Sequence, residues 1–388
     1  MLDPIPPPPQ WLQTLVEPLS TYLSLPVLPH HIHEVLFAFA LYHFIYSVVA
    51  PRVSSALFPA IYPNFPTRTK LNWNVHVVSL VQSTLVNVLA LWVMRVDKER
   101  SGMTSGERVY GYTGAGGLVQ AMAAGYFLWD LMISTIHFKI FGPGLWFHAI
   151  SALWVFSFGF RPFVNFYGPT FILYELSSPF LNFHWFFDKV NMTGSRAQWY
   201  NGMILLAVFF SCRLVWGSWQ SIQVYIDVWK ALWLSPGSAV SSHDDPVKLS
   251  SVIFGHRDGA LCLDETCARA NAEIARFAQY TDGGVPIWLA CTYLASNVTL
   301  NSLNFYWFGK MIATVMARFK ETGPAEKGKP EKTTLEVLEN DVVLDAAAKL
   351  EEEDRLFING GLVDSSDEKT KTTSAQTEGK GSTRRRRG

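Results

Sequence analysis

Charge is what this sequence has least of. Of its 388 residues, 16% are Asp, Glu, Lys or Arg and 49% are hydrophobic, whereas a soluble domain carries about 25% charge. The deficit is local: 28 of the 64 charged side chains lie in the last 69 residues, leaving 36 for the first 319. A soluble body of that size cannot cover its surface with so few. A cytosolic enzyme, a nucleic-acid binder and a disordered scaffold are therefore excluded. The net charge of zero agrees, implying no global attraction to nucleic acid. Four cysteines are too few for a disulfide framework. Cys212 and Cys291 stand in apolar runs, while Cys262 and Cys267 stand in a polar segment and can pair if it faces an oxidising compartment. Soluble-enzyme signatures are also missing: there is no P-loop, dinucleotide fingerprint, GxSxG elbow or HExxH. GAGG at 114–117 follows no strand and reads as a tight start to a helix. The opening MLDPIPPPPQ has neither the positive charge nor the apolar core of a cleavable signal.

What is present is a series of long apolar runs. A bilayer core needs about 20 apolar residues per helix, and seven segments qualify: 33–50, 75–94, 116–138, 144–160, 166–187, 202–222 and 285–309. Six spans, with 144–160 or 166–187 re-entrant, is the alternative count. The expected fold is all-α, a polytopic membrane helix bundle. Residues 1–32 form a proline-rich segment with an interfacial helix around Trp11–Leu25. The transmembrane domain covers 33–318 with an insertion at 235–284, and 319–388 is a charged, mostly disordered cytoplasmic tail. Within that tail 333–356 has amphipathic spacing, and Arg384, Arg385, Arg386 and Arg387 suit anionic headgroups or an arginine-reading trafficking receptor.

Ionisable groups at bilayer depth are costly and call for a partner or a role. Glu175, Ser178 and Asn182 share one helical face. Pro179 lacks an N–H, so the Glu175 carbonyl is expected to lose its helical partner. Asp130 stands in GYFLWDLMISTIHF, with His137 on the same face. Arg213 is deep in 202–222 and needs an anion, for which Asp130 or Glu175 is the candidate. His148 sits in GLWFHAISALWVF, and His76 is expected at the interface beside Trp73 in an aromatic belt. His30, His31 and His33 cluster, but no second polar cluster completes a di-iron site, so no metal or other cofactor is expected.

The stretches LNWNVHVVSLVQS (71–83), GYFLWDL (125–131), FHAISALW (147–154), YELSSPFLNFHWFFDKV (174–190), NGMILLAVFFSCRL (201–214) and LNFYWFGKMI (303–312) resemble the TLC-domain family, in its branch outside the ceramide synthases. The resemblance runs from about 33 to 318. It implies a six-helix core over 75–309 preceded by one helix, residence in the endoplasmic reticulum or a related membrane, and a cavity for a lipid chain. Ceramide synthases pair two adjacent histidines with two spaced aspartates. Here those positions fall on Phe147 and His148, and on Glu175 and Ser178, so half of the set remains. The implied function is lipid binding or handling that influences membrane composition or trafficking, with His148, Glu175, Ser178, Asn182, Asp130 and Arg213 lining the site. The alternatives are acyl-CoA-dependent N-acyl transfer through His148 and Glu175, and a cargo or chaperone role in the early secretory pathway.

Overall fold

A computed structural model describes residues 1–233, 248–258 and 265–321. Among these there is no strand. The helices that place the site are α1 (Gln10–Leu23), α2 (Leu28–Leu57), α3 (Thr67–Val96), α4 (Gly114–Ile136), α5 (Phe138–Ser157), α6 (Ser178–Lys189), α7 (Arg196–Trp233), α8 (Leu249–Asp258), α9 (Glu265–Ile274) and α10 (Ile287–Glu321). Four helical stretches are long and apolar enough to cross a membrane: α2, α3, α7, and α4 together with the turn before it, Ser105–Ile136. The chain is an integral membrane helix bundle.

The three other expected spans fall short of that measure, each for a local reason. Gly142 (φ 77°, ψ 175°) and Pro143 break α5, leaving a short apolar helix, Ala149–Phe160. Segment 166–187 is not one helix. It begins as Gly168–Ile172, tightens to a 3₁₀ turn over Leu173–Ser177 and restarts as α6. Pro179 sits in the first turn of α6, where its missing N–H leaves no bond unmade. The Glu175 carbonyl is accordingly not orphaned, because the Ser178 N–H bonds to it across the 3₁₀ turn. Helix α10 runs antiparallel along α7, but it turns Asn297, Asn301 and Asn304 toward that helix. Asn297 Oδ1 accepts from Tyr225 (2.9 Å), Asn301 donates to Ser221 (2.7 Å) and Asn304 Oδ1 accepts from Arg213 (3.3 Å). That i, i+4, i+7 amide stripe is what lowers its apolarity.

Helices α2 and α4 run parallel and very close. A Cβ on Gly125 would stand 2.6 Å from both the Ala38 Cβ and the Val35 carbonyl oxygen. Gly114, Gly117, Ala121 and Gly125 thus form a small-residue stripe of the kind by which membrane helices approach. GAGG is part of a packing surface as well as a helix start, the start itself being capped by Thr113 Oγ1, which accepts from the Gly116 N–H (3.2 Å).

At one end of the bundle the helices are tied by charge. Asp227, near the end of α7, accepts from Arg108 (2.5 and 2.8 Å), Ser105 (2.5 Å) and Tyr167 (2.6 Å). Glu107 closes a capping box with Thr104 and also holds Arg257 of α8. On the outside, Trp11, Leu15, Leu19 and Tyr22 leave an exposed apolar stripe on α1, as suits a helix lying in the membrane interface.

Candidate functional site

Four of the expected site residues, Asp130, Glu175, Ser178 and Asn182, lie along a polar seam between α3, α4 and the turn that leads into α6. Asn182 is its hub. Its Oδ1 pairs with His76 Nδ1 at 2.8 Å, and its amide donates to Ser79 Oγ at 3.0 Å. One turn away Ser178 Oγ donates to Glu175 Oε2 at 2.6 Å. Tyr126 of α4 lies beside Ser79, Asp130 and Glu175. The expected i, i+3, i+7 face therefore exists in part: Glu175 and Ser178 bond each other, while Asn182 reaches across to α3.

His76 joins this seam. Its ring stacks on Trp185 (centroids 4.1 Å apart, 21° between planes). Trp73 beside it is turned inward. It is 2% exposed, donates to Ser54 Oγ at 2.7 Å and is packed by Phe58, Tyr62, Phe65, Trp185 and Phe186. Asn182 bonds residues more than 100 positions away, so no local spacing announces the His76–Ser79–Asn182 contact. The available signal was His76 and Ser79 three residues apart, on one helical face.

Arg213 lies in a π-helical turn, Phe210–Trp216, inside α7, a local widening often found at functional sites. The expected ion pair with Asp130 or Glu175 is not what holds it. Its hydrogen bonds go to neutral oxygens: the Tyr174 carbonyl (2.9 Å), Ser177 Oγ (3.1 Å) and Asn304 Oδ1 (3.3 Å). The guanidinium also sits 5.0 Å from the centre of the Phe209 ring. Gly217 makes this possible, since a Cβ there would stand 2.5 Å from the Tyr174 ring. The π turn and the Leu173–Ser177 turn face one another, and a cation meets the backbone where regular hydrogen bonding is broken.

The wall behind the seam is polar as well. Gln82, Ser83 and Asn87 of α3 are buried, and Gln82 Nε2 and Asn87 Oδ1 lack hydrogen-bond partners among the described residues. By contrast His76, Ser79, Tyr126, Asp130 and Glu175 all keep accessible surface. The side chain of His148 and that of Phe147 lie outside the described residues, as do Cys262, the stretch 333–356 and Arg384, Arg385, Arg386 and Arg387.

A second cluster lies at the charged end of the bundle. His31 Nδ1 is 2.8 Å from Glu34 Oε2 and 3.3 Å from Asp3 Oδ2. Its Nε2 meets the Tyr112 hydroxyl at 2.5 Å. Burial, with Glu34 beside it, raises the Asp3 carboxyl to about 7. Nearby, a cleft of about 670 Å³ opens between α1 and segments 161–163 and 276–289, lined by polar groups including Gln13, Glu17, Arg161 and Arg276. It shares no residue with the seam.

Similarity to known proteins covers the same stretch of chain. The TLC domain matches residues 72–313. An uncharacterized TLC domain-containing protein of Schizosaccharomyces pombe is 32% identical over 307 residues, 79% of this chain and 86% of that protein. Topoisomerase I damage affected protein 4 of Saccharomyces cerevisiae is 27% identical over 322 residues, 79% of this chain and 95% of that one. TLC domain-containing protein 4 of Homo sapiens is 29% identical over 184 residues, 47% and 65% of the two chains. These relatives are not ceramide synthases. No solved structure matches the chain.

Proposed function

Because the chain belongs to the TLC-domain family, we propose that this membrane protein binds a membrane lipid, its polar group on the seam between α3, α4 and α6 and its chains along the neighbouring apolar faces. One observation carries the reading: His76, Ser79, Tyr126, Asp130 and Glu175 all keep accessible surface inside the membrane-embedded part of the chain. Polar groups there are expensive unless they meet one another or a ligand. A fully sealed seam would be a structural lock, whereas a partly open one offers donors and acceptors to a headgroup. Asn182 holds the seam from behind, and Glu175 presents a carboxyl group that the buried Ser178 hydroxyl orients. Arg213, satisfied by neutral oxygens, props the turn that carries Glu175. In this reading the protein resides in an endomembrane such as the endoplasmic reticulum and acts on lipid composition or trafficking by holding a lipid.

The test is lipid mass spectrometry on protein purified in mild detergent, wild type beside Glu175→Ala and Asn182→Leu variants that melt cooperatively. One lipid class enriched over the bulk membrane, and depleted several-fold in both variants, is the expected result. A lipid profile equal to bulk membrane, or one that neither variant changes, contradicts it. Acylated product from acyl-CoA and a long-chain base, lost in His148→Ala, would replace binding by acyl transfer.

A further inference from the structure

We propose that Asp3, His31 and Glu34 form a binding site for a divalent transition-metal ion that clips the N-terminal arm onto the helix bundle. The donor atoms of these three residues all lie within 4.8 Å of one another. A tetrahedral zinc with arms of ~2.0–2.1 Å needs donor atoms roughly 3.3 Å apart. From His31 Nδ1 the two carboxylate oxygens stand at 2.8 and 3.3 Å, so small side-chain adjustments suffice. One imidazole and two carboxylates form a donor set that suits zinc, manganese or iron(II).

Independent observations point to a missing partner at this place. Glu34 is 1% exposed, yet among the described residues its Oε1 has no hydrogen-bond partner. Its carboxylate also stands within 4.8 Å of that of Asp3. Two carboxylates that close repel unless a proton or a cation stands between them. Water would complete the coordination beside these three protein ligands. His31 is held as metal-binding histidines usually are, its second ring nitrogen fixed by an outer partner, here the Tyr112 hydroxyl at 2.5 Å.

The surface behind the site is cleared for it. A Cβ on Gly117 would stand 2.2 Å from His31 Nε2, and one on Gly114 would stand 2.4 Å from the Asp3 amide nitrogen. Two glycines of α4 thus admit the arm and the imidazole. The ligands come from residue 3 and from the first turns of α2, so a bound ion closes a loop of some 28 residues, the kind of link whose benefit comes from chain entropy.

The experiment uses the full chain, carried on an affinity tag without histidine, stripped with chelator and dialysed against zinc. About one zinc per chain is expected in the wild type. Glu34→Gln and His31→Ala should lose it, and Tyr112→Phe, which keeps all ligands, should bind about tenfold more weakly. His30→Ala, which removes a neighbouring histidine outside the ligand set, should bind as the wild type does. Zinc should also raise the melting temperature of the wild type and leave Glu34→Gln unmoved. If the ligand variants do not fold, cobalt added to the wild type decides, and tetrahedral absorption bands with nitrogen and oxygen ligands are expected. No zinc uptake by the wild type, uptake unchanged in folded variants, or cobalt without those bands would overturn the site and leave a carboxyl pair sharing a proton.

Discussion

At the end of the bundle, charge meets charge: Arg108 holds Asp227 and Arg257 holds Glu107. At membrane depth, around Asn182 and Arg213, charge meets neutral oxygen. Arg213 leans on a carbonyl, a hydroxyl and an amide, and Glu175 on the Ser178 hydroxyl. At the end clusters full ion pairs join the helices as girders. Deeper in, an arginine–carboxylate pair would consume the very groups that a polar ligand needs. Arg213 and Glu175 are instead each held by neutral dipoles. The two regions thus show the same residue types in different employment, one fastening helices and the other lining a place between them.

The largest effect should come from the charged end. Asp227→Ala strands Arg108, Tyr167 and Ser105 together, and breaking a buried pair costs about 3–5 kcal/mol. Thermal melting of the purified protein should show the greatest loss for this variant. Arg213→Met comes next. It leaves its acceptors without a donor but also removes a half-buried cation, so about 1.5–3 kcal/mol is expected. A loss equal to that of Asp227→Ala would mean that Arg213 works through a carboxylate after all, and the contrast would collapse. Asn182→Leu breaks two interhelical bonds of a kind that average about 0.6 and reach about 1.7 kcal/mol in membranes. Its melting shift should be smaller still, while its loss of lipid should be large. Ser178→Ala removes one hydroxyl and should change stability by less than about 0.6 kcal/mol, which a side-by-side melt with the wild type resolves. A stability loss for Ser178→Ala larger than that for Asn182→Leu would shift the hub of the seam from α6's contact with α3 to its contact with Glu175.

How legible each part was in the sequence depends on where its partners lie along the chain. Apolar runs such as 75–94 and 202–222 announce membrane helices because every residue contributes to one signal. Helix α10 is harder to read because its asparagines satisfy one another's needs with α7, and a stripe of satisfied amides looks like a polar helix. The Glu175–Ser178 pair was legible at i, i+3. The break at 173–177 was visible only as Pro179, and the sequence reading placed its consequence wrongly, since the 3₁₀ turn supplies the bond that Pro179 cannot. His76, Arg213 and the Asp3–His31–Glu34 cluster were the least legible. His76 and Arg213 find partners 106 and 36 to 91 residues away, and Asp3 lies 28 residues from His31, so tertiary structure has to bring them together, although His31 and Glu34 stand at i, i+3. Glycines carried a signal that periodicity ignores. Gly114, Gly117 and Gly125 mark where α2 and the arm press against α4.

The most direct test of lipid binding at the seam is photocrosslinking with a diazirine-bearing lipid in membranes, followed by mass-spectrometric mapping of the adducts. Adducts on α3, α4 and α6 around Ser79, Tyr126 and Glu175, lost in Asn182→Leu, are the expected result. Adducts confined to outward-facing residues such as Leu36, Val88 and Trp219, unchanged in the variant, would show that lipid only surrounds the bundle and would contradict the account.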